Sequence, residues 1–254
     1  MRSETVTTVD RVIPFSTVFN FRDLGGYPAA AGSTVRWSRL YRSDGLHRLT
    51  PVDFEDFAAL GVRTVLDLRR PDELEADGRV AESLGLAYHN LNFHADLWPQ
   101  FTLGAALPRY LADRYAEMAE GGLTGRNAVA ASLRLIADSD STPLVFHCAA
   151  GKDRTGVLAA LTLSLLGVAD DDIAADYALS AESERRFREW RRSLAADRPE
   201  EDGHSPWQVD PCPRDAMHLF LVELRERHGS VEGYARRAGI TDAQIERLRE
   251  HMLD

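Results

Sequence analysis

The stretch Leu144-Val-Phe-His-Cys-Ala-Ala-Gly-Lys-Asp-Arg-Thr-Gly-Val-Leu-Ala-Ala-Leu-Thr-Leu-Ser-Leu-Leu166 decides the fold of this chain. Leu144 to His147 is short and apolar and follows a polar turn, which is typical of a central strand. Val157 to Leu166 is apolar on every side, which predicts a buried helix that ends at Gly167. A strand, a short loop and a buried helix in this order indicate an α/β fold.

On either side of this stretch, the sequence patterns predict strands mainly in the first part of the chain and helices mainly in the last part. Residues 62–68 are β-branched and aliphatic and predict a buried strand, and 37–42 and 87–93 are further candidate strands. Predicted helices are 50–60, 110–119, 127–137, 170–180, 181–194, 215–228, 231–237 and 241–253. Because no repeat or low-complexity linker interrupts the chain, we expect one domain over 1–254, with candidate lid insertions at 94–125 and 181–213.

The composition limits the classes of partner. The 254 residues include 40 acidic and 30 basic side chains, which gives a net charge of −10. Nucleic acids and anionic membranes are therefore unexpected partners, because both require a basic protein surface. The two cysteines, Cys148 and Cys212, are too few for a disulfide framework and form no zinc-binding motif.

Two segments bear on where the protein works. The longest mostly apolar run, Val157 to Ala169, is shorter than the roughly 20 residues that span a bilayer. Met1 to Asn20 lacks the apolar core of a signal peptide. The cytoplasm is the expected location, and export by a route without a cleaved signal is the alternative.

The central loop, Cys148 to Arg154, carries the chemistry. A loop between a strand and a helix directs successive backbone N–H groups at one point, and the helix dipole adds positive potential, so the loop is expected to bind an anion. Ala149, Ala150 and Gly151 are small enough to let an oxyanion approach the backbone. The planar fork of Arg154 suits two phosphate oxygens, and the local field favours a thiolate at Cys148.

Two flanking residues have supporting roles in this interpretation. His147 is expected to fix the surroundings of the cysteine, and Thr155 to hydrogen-bond the thiolate when sulfur becomes a leaving group. Taken singly, a buried cysteine is usually inert and a histidine is usually structural. The combination is specific, because Cys148 and Arg154 flank a small, glycine-containing loop placed after a strand and before a helix.

The pattern Cys148-x5-Arg154-Thr155 resembles the signature loop of cysteine-dependent phosphatases. The longer string HCAAGKDRTG at 147–156, with NFRDLGGY at 20–27 and LDLRRPDE at 66–73, is similar to bacterial tyrosine phosphatases of the mycobacterial protein tyrosine phosphatase B type. Gly229-Ser-Val-Glu-Gly-Tyr234 resembles the C-terminal segment of the same family, so the likeness runs from about residue 12 to the end.

The resemblance implies a cysteine-phosphatase fold, with a central, mostly parallel sheet flanked by helices, helical insertions and a helical C-terminus. It also implies a two-step reaction without a metal or cofactor, in which Cys148 attacks phosphorus and water hydrolyses the cysteinyl-phosphate. The expected phosphate-binding residues are Ala149, Ala150, Gly151, Lys152, Arg154 and Thr155.

The proton-transfer group has three candidates. Asp153 lies in the central loop, where its basic neighbours favour the ionised form, which suits a base or orienting group better than an acid. Asp67, at the carboxyl end of a strand, is well placed to face the loop, and it equally suits a structural acceptor of loop amides. Asp96 belongs to a segment that is a candidate mobile lid.

Lys152 is the only lysine among the 30 basic residues. As a compact charge four residues after Cys148, it suits a second anionic group on the substrate. The Gly-Lys-x-Arg-Thr pattern resembles the loop of lipid phosphatases that act on inositol rings. Phosphoinositides are therefore candidate substrates beside phosphotyrosine and phosphoserine or phosphothreonine proteins. The alternatives are a phosphoinositide-selective lipid phosphatase and a non-catalytic phospho-recognition module.

Other arginines have less specific interpretations. Arg22 and Arg69 are expected to brace the loop through carboxylates such as Asp23 and Glu73. The arginine run at 185–192 is expected to form a solvated helix face paired with glutamates, and guidance of anionic substrates is the alternative.

Overall fold

The computed structural model describes residues 11–93, 107–194 and 211–254. The sheet within these ranges has five strands in the order β1-β2-β5-β3-β4. The strands are β1 (Arg22–Asp23), β2 (Leu40–Ser43), β3 (Thr64–Asp67), β4 (Ala87–Asn90) and β5 (Leu144–His147). Strand β1 is antiparallel to β2, and the other neighbouring strands are parallel. The predicted α/β fold with a mostly parallel sheet is confirmed.

Helices cover both faces of the sheet. They are α1 (Phe54–Ala59), α2 (Pro71–Asp77), α3 (Leu107–Glu120), α4 (Gly122–Ile136), α5 (Asp153–Leu165), α6 (Asp170–Ala178), α7 (Ser180–Leu194), α8 (Arg214–His228), α9 (Val231–Arg237) and α10 (Asp242–Met252). No helix of the described ranges is long and apolar enough to cross a bilayer.

Two hydrophobic clusters follow from the alternation of side chains along the strands. Tyr41, Val65 and Val145 belong to the smaller cluster, which also contains Phe57 of helix α1. Leu40, Leu66, Leu144 and Phe146 belong to the larger cluster, which contains the buried side chains of helices α3–α6 and α8–α10. The core therefore lies mainly on the α5 side of the sheet.

Helix α5 is buried as predicted, but it begins at Asp153, four residues before the apolar run. Residues 153–156 are polar or small, so the apolar pattern does not include them. They form the first turn of the helix and stand at the carboxyl end of the sheet. The start of the helix is therefore part of the central loop's environment.

The strands are shorter than their sequence patterns, for local reasons. Ser38 has φ 59°, a left-handed conformation that keeps residues 37–39 out of β2. Strand β4 ends at Asn90, whose side-chain amide donates to Asp67 O (3.0 Å) and Arg69 O (2.9 Å), and Leu91 N makes the last backbone contact to Asp67 O (2.9 Å). Capping boxes at Thr50 and Thr241 begin the helical segments there.

Parts of both candidate lid insertions lie outside the described residues, namely 94–106 of the first and 195–210 of the second. Asp96 is in the first of these parts. The described part of the first insertion belongs to helices α3 and α4, and α3 contributes Leu111, Tyr115 and Met118 to the core. The described part of the second forms most of α7.

Candidate active site

The carboxyl ends of the parallel strands meet at the central loop. Ser43 of β2 and Asp67 of β3 both stand in register with His147, the last residue of β5. Cys148 follows immediately, and α5 begins five residues later at Asp153. The loop therefore connects the middle strand of the sheet to the N-terminus of a buried helix.

Donors outside the central loop hold its carbonyl groups. Gly45 N donates to Ala149 O (3.1 Å), Asn20 Nδ2 to Ala150 O (3.0 Å) and Gly151 O (3.1 Å), and Arg42 Nη2 to Gly151 O (2.8 Å). In a trans peptide the C=O and N–H bonds point in opposite directions. Because the carbonyls are drawn outward, the N–H groups of residues 150–152 are directed into the loop, which forms an anion nest.

Gly151 is required by the shape of the loop. Its φ is +68°, a left-handed conformation that glycine adopts at little cost. A Cβ atom at this position would lie 2.4 Å from Ser43 O and 2.7 Å from Asp44 N. The loop is therefore packed directly against the end of β2.

Cys148 lies at the base of the nest and is 2% exposed. His147 Nδ1 is 3.1 Å from Cys148 O, and because a carbonyl only accepts, the ring nitrogen donates. Thr155 Oγ1 is buried and has no hydrogen-bond partner among the described residues. Its hydroxyl is thus available for the predicted contact with sulfur, although the structure contains no such bond.

Arg154 is fixed by Glu73 at the start of α2. The guanidinium makes a two-point contact with the carboxylate, Nη1 to Oε2 at 2.5 Å and Nη2 to Oε1 at 2.8 Å. Nη1 also donates to Leu68 O (3.3 Å). Burial opposes ionisation of Glu73, but the hydrogen bonds and charge of Arg154 outweigh it and lower the pKa of this carboxyl. The pair is therefore ionic and holds the fork in one orientation.

Asp67 is fully buried beside His147, and its carboxylate oxygens already accept hydrogen bonds from other side chains. Arg69 donates to it from Nη2 (2.7 Å) and Nε (3.0 Å), and Tyr88 donates from its hydroxyl (2.8 Å). Burial opposes ionisation, but His147 and Arg69 lower the pKa of Asp67 to about 2. A carboxylate in this state holds Arg69 and has no proton to give at neutral pH.

Asp153 is more accessible, and helix α3 supplies its partner. The hydroxyl of Tyr115 donates to Asp153 Oδ1 (2.8 Å) and lies 2.6 Å from the hydroxyl of Tyr177. Burial and Asp153 raise the pKa of Tyr115 well above its usual value, so the hydroxyl stays protonated. Lys152 Nζ is 3.8 Å from Asp153 Oδ1.

A family model described as the tyrosine phosphatase family matches residues 13–254 of this chain. The chain belongs to that family. The likeness inferred from the central loop and its companion motifs is thereby confirmed, and the match covers every residue of the site described above.

Two sequence relatives of this phosphatase agree with that assignment. A Cupriavidus necator protein with the provisional name tyrosine-protein phosphatase is 32% identical over 252 residues, 95% of this chain and 88% of that protein. The triple specificity protein phosphatase PtpB of Mycobacterium tuberculosis is 27% identical over 277 residues, 92% of this chain and 96% of that protein. The solved structure of P. aeruginosa TpbA aligns with 85% of this chain and 98% of that chain, at 18% identity and a TM-score of 0.39.

A cavity of about 720 Å³ opens beside the central loop of the phosphatase. Its wall includes Ala149, Ala150 and Lys152 from the loop, Asp44, His47 and Arg48 from the turn after β2, and Glu184, Phe187, Trp190 and Arg191 from helix α7. The helix is held there by aromatic contacts of Phe19 with Phe187 (5.9 Å between centroids) and Trp190 (5.6 Å). The cavity is large enough for a phosphorylated ring and its substituents.

The arginine run of α7 divides between two environments. Arg185 pairs with Glu182 and Glu189, and Arg188 pairs with Glu184, which confirms the predicted pairing with glutamates. Arg191 lines the cavity and faces the site.

Two predicted partners were wrong. Arg22 does not pair with Asp23 but with Asp176 of helix α6 (2.8 Å), and Arg69 pairs with Asp67 instead of Glu73. Asp23 accepts from the backbone of Gly25 and Ser38, which closes a local turn.

In the described ranges, no cluster of three or more His, Cys, Asp or Glu side chains is arranged to hold a metal ion.

Proposed function

We propose that this tyrosine phosphatase hydrolyses phosphotyrosine in proteins through a covalent intermediate on Cys148. The observation that carries the proposal is the central loop, which combines a buried cysteine, carbonyls drawn outward by Asn20 and Arg42, and an arginine fixed by a carboxylate. Each component matches a need of phosphoryl transfer, which depends on positioning and on stabilising charge on the equatorial oxygens.

The reaction has two balanced steps in this proposal. The thiolate of Cys148 attacks phosphorus, the bond from phosphorus to the tyrosine oxygen breaks, and that oxygen takes up a proton. Water then attacks the cysteinyl-phosphate, a proton leaves the water, and sulfur departs as the thiolate. The N–H groups of the loop and Arg154 stabilise the transferring group in both steps, and the free hydroxyl of Thr155 supports the departing sulfur.

We assign the proton transfers to Asp153. Asp67 is fully buried and bonded to Arg69 and Tyr88, so its geometry suits a structural role. Asp153 is partly accessible at the first turn of α5, and Tyr115 holds one of its oxygens. That contact leaves the second oxygen to face the substrate or the attacking water.

Phosphoinositides are a second candidate substrate class, and Lys152 is the observation that favours them. Burial opposes its charge, but Asp153, Cys212 and Glu184 together outweigh burial and raise the pKa of Lys152, so the side chain is an ammonium in the cavity wall. An ammonium next to the phosphate nest suits a second anionic substituent on the same ring. The triple specificity of the M. tuberculosis relative is consistent with a site that accepts more than one substrate class.

The test is turnover of p-nitrophenyl phosphate, a phosphotyrosine peptide and a soluble phosphoinositide in the presence of a chelator. We expect the wild type to release phosphate from the first two, and Cys148→Ser to release none while still binding the phosphopeptide. Binding without turnover by the wild type would instead support a phospho-recognition module. Turnover of the phosphoinositide alone would support a lipid phosphatase.

A further inference from the structure

A buried ionic triad lies behind the central loop, and the reaction does not use it directly. Asp176 of helix α6 pairs with Arg22 (Nε to Oδ1, 2.8 Å) and with Arg42 (Nη1 to Oδ2, 2.5 Å), and all three side chains are about 1% exposed. Tyr27 also donates to the carboxylate (3.2 Å). Burial opposes ionisation of Asp176, but the two arginines outweigh it and lower its pKa.

The triad contains two positive charges and one negative charge, so it does not neutralise itself. Arg42 Nε is buried without a hydrogen-bond partner among the described residues. Isolated charges are costly to bury, so buried charged groups are normally paired and hydrogen-bonded to their surroundings. The contacts of this triad lead to the central loop by two routes.

The first route runs through Arg42. One end of its guanidinium is bonded to Asp176, and Nη2 at the other end donates to Gly151 O (2.8 Å). Because the guanidinium is planar and rigid, fixing one end on the carboxylate sets the direction of the other. The position of Asp176 therefore sets the direction of the Gly151 carbonyl.

The second route runs through Arg22 and Asn20. Arg22 Nη1 donates to Asn20 Oδ1, and since arginine only donates, this contact determines which way round the Asn20 amide lies. Its Nδ2 atom must then face the loop, where it donates to Ala150 O (3.0 Å) and Gly151 O (3.1 Å). The Asp176 carboxylate thus contacts both arginines of the two routes, and Arg22 is held in addition by Asp176 O (2.8 Å) and Ser180 Oγ (3.3 Å).

We propose that Asp176 is a positioning residue of the phosphate site, which acts through Arg42 and through Arg22 and Asn20 to aim the N–H groups of Gly151 and Lys152 into the central loop. The proposal rests on the proposed function for its account of why the loop binds phosphate. It adds that the geometry of the nest is set by a residue of helix α6 that does not touch the substrate.

An asparagine at 176 removes the negative charge that the triad needs. It offers one acceptor oxygen, and its amide group would direct hydrogens at the other guanidinium. One of the two arginines then loses its carboxylate partner. The carbonyl groups of the central loop are held less firmly as a result, and the peptides of residues 150–152 no longer have a fixed orientation. The consequence for the site is weaker binding of an oxyanion.

The experiment measures binding of inorganic phosphate to the chain of residues 1–254 by isothermal titration calorimetry, which does not depend on turnover. We expect Asp176→Asn to raise the Kd about tenfold or more, and Asn20→Ala to raise it about threefold, because each removes hydrogen bonds that orient the loop. Asp170→Asn is the matched control, since Asp170 lies on the same helix and its partly exposed side chain pairs with Arg225 and has no contact with the central loop among those described. Its Kd should stay within about twofold of the wild type.

Circular dichroism and a thermal melt establish that each variant is folded. A folded Asp176→Asn with the wild-type Kd would overturn the proposal, and so would an equal loss in Asp170→Asn. If Asp176→Asn does not fold, Asn20→Ala decides, and an unchanged Kd in that variant overturns the proposal. A wild type that binds phosphate but releases none from p-nitrophenyl phosphate would count against the proposed function alone.

Discussion

Arg154 and Glu73 are joined by two parallel hydrogen bonds, of 2.5 and 2.8 Å, across 81 residues of sequence. Arg154 lies at the start of α5 and Glu73 in the first turn of α2, so the contact links the two sides of the site. Glu73 also accepts from Arg70 N (2.8 Å), which fixes the carboxylate itself. The orientation of the phosphate-binding fork is therefore determined before substrate binds.

The first prediction concerns Glu73. In Glu73→Gln the amide retains one acceptor and turns a donor toward the guanidinium, so the two-point contact is lost while side-chain volume is kept. We expect kcat/KM for p-nitrophenyl phosphate to fall about 10- to 100-fold, because a small misplacement of a positioning group has effects of this size. Steady-state kinetics measure it, with Asp72→Asn as the control, since Asp72 pairs with Arg70 at the surface. Equal kinetics for Glu73→Gln and the wild type would show that Arg154 needs no brace.

The second prediction uses the fact that Lys152 is the only lysine of the chain. Acetylation of amines removes its charge, whereas reductive methylation keeps it. We expect acetylation to lower kcat/KM for a phosphoinositide about tenfold more than for p-nitrophenyl phosphate, because only the former presents a second anion. Methylation should leave the ratio of the two values nearly unchanged.

The control for this chemistry is Lys152→Arg, which has no lysine, so that the α-amino group of the chain is the one amine left to react. Neither reagent should alter the activity of that variant further. A loss of equal size on both substrates after acetylation would remove the evidence that Lys152 contacts a second anionic group.

The sequence was sufficient to place the central loop between a strand and a buried helix. Cys148 and Arg154 are held in one strand–loop–helix unit, whose apolar strand and buried helix have strong local patterns. Lys152 and Asp153 are part of the same unit. The placement of the loop therefore follows from residues close together in the chain.

The braces of the loop could not be predicted in the same way, because they come from distant segments. Asn20 and Gly151 are 131 residues apart, and Arg42 and Asp176 are 134 residues apart. An arginine inside a short strand and an aspartate on the buried side of α6 were the available signals, and neither identifies its partner. Distance explains the wrong partner of Arg22, which pairs with a residue 154 positions away, but not that of Arg69, whose partner Asp67 is nearer in the sequence than the predicted Glu73.

The third prediction concerns Tyr115, which no local pattern connects to the loop. Tyr115→Phe keeps the ring in the core and removes the hydrogen bond to Asp153. We expect kcat to fall about 3- to 10-fold with little change in KM, because the hydrogen bond that orients the proton-transfer residue is lost. The pH–rate profile should change shape as well. The control is Tyr234→Phe, whose hydroxyl donates to Ala119 O (2.6 Å) away from the site, and a fall of equal size in that variant would refute the link to Asp153.

The fourth prediction concerns the pH dependence of stability and His47. Burial, Arg48 and Arg69 lower the pKa of this imidazole to about 4, from an ordinary value of 6.5. Arg69 Nη1 donates to Nδ1 (3.0 Å), a contact that needs the neutral ring. Because the unfolded state takes up the proton first, the stabilising contribution is complete above pH 6.5 and is lost as pH falls toward 4.

We expect the free energy of unfolding to decrease by about 2 kcal/mol on this account between neutral pH and pH 4, after allowance for the partial exposure of the ring. His47→Gln keeps an acceptor for Arg69 but does not titrate, so its stability should vary less over the same interval. Urea unfolding at several pH values measures the difference, and His218→Gln is the control, because His218 lies on α8 beside the exposed Asp171. If His47→Gln and the wild type lose stability in parallel as pH falls, another group is responsible, and the contact between His47 and Arg69 does not depend on the neutral ring.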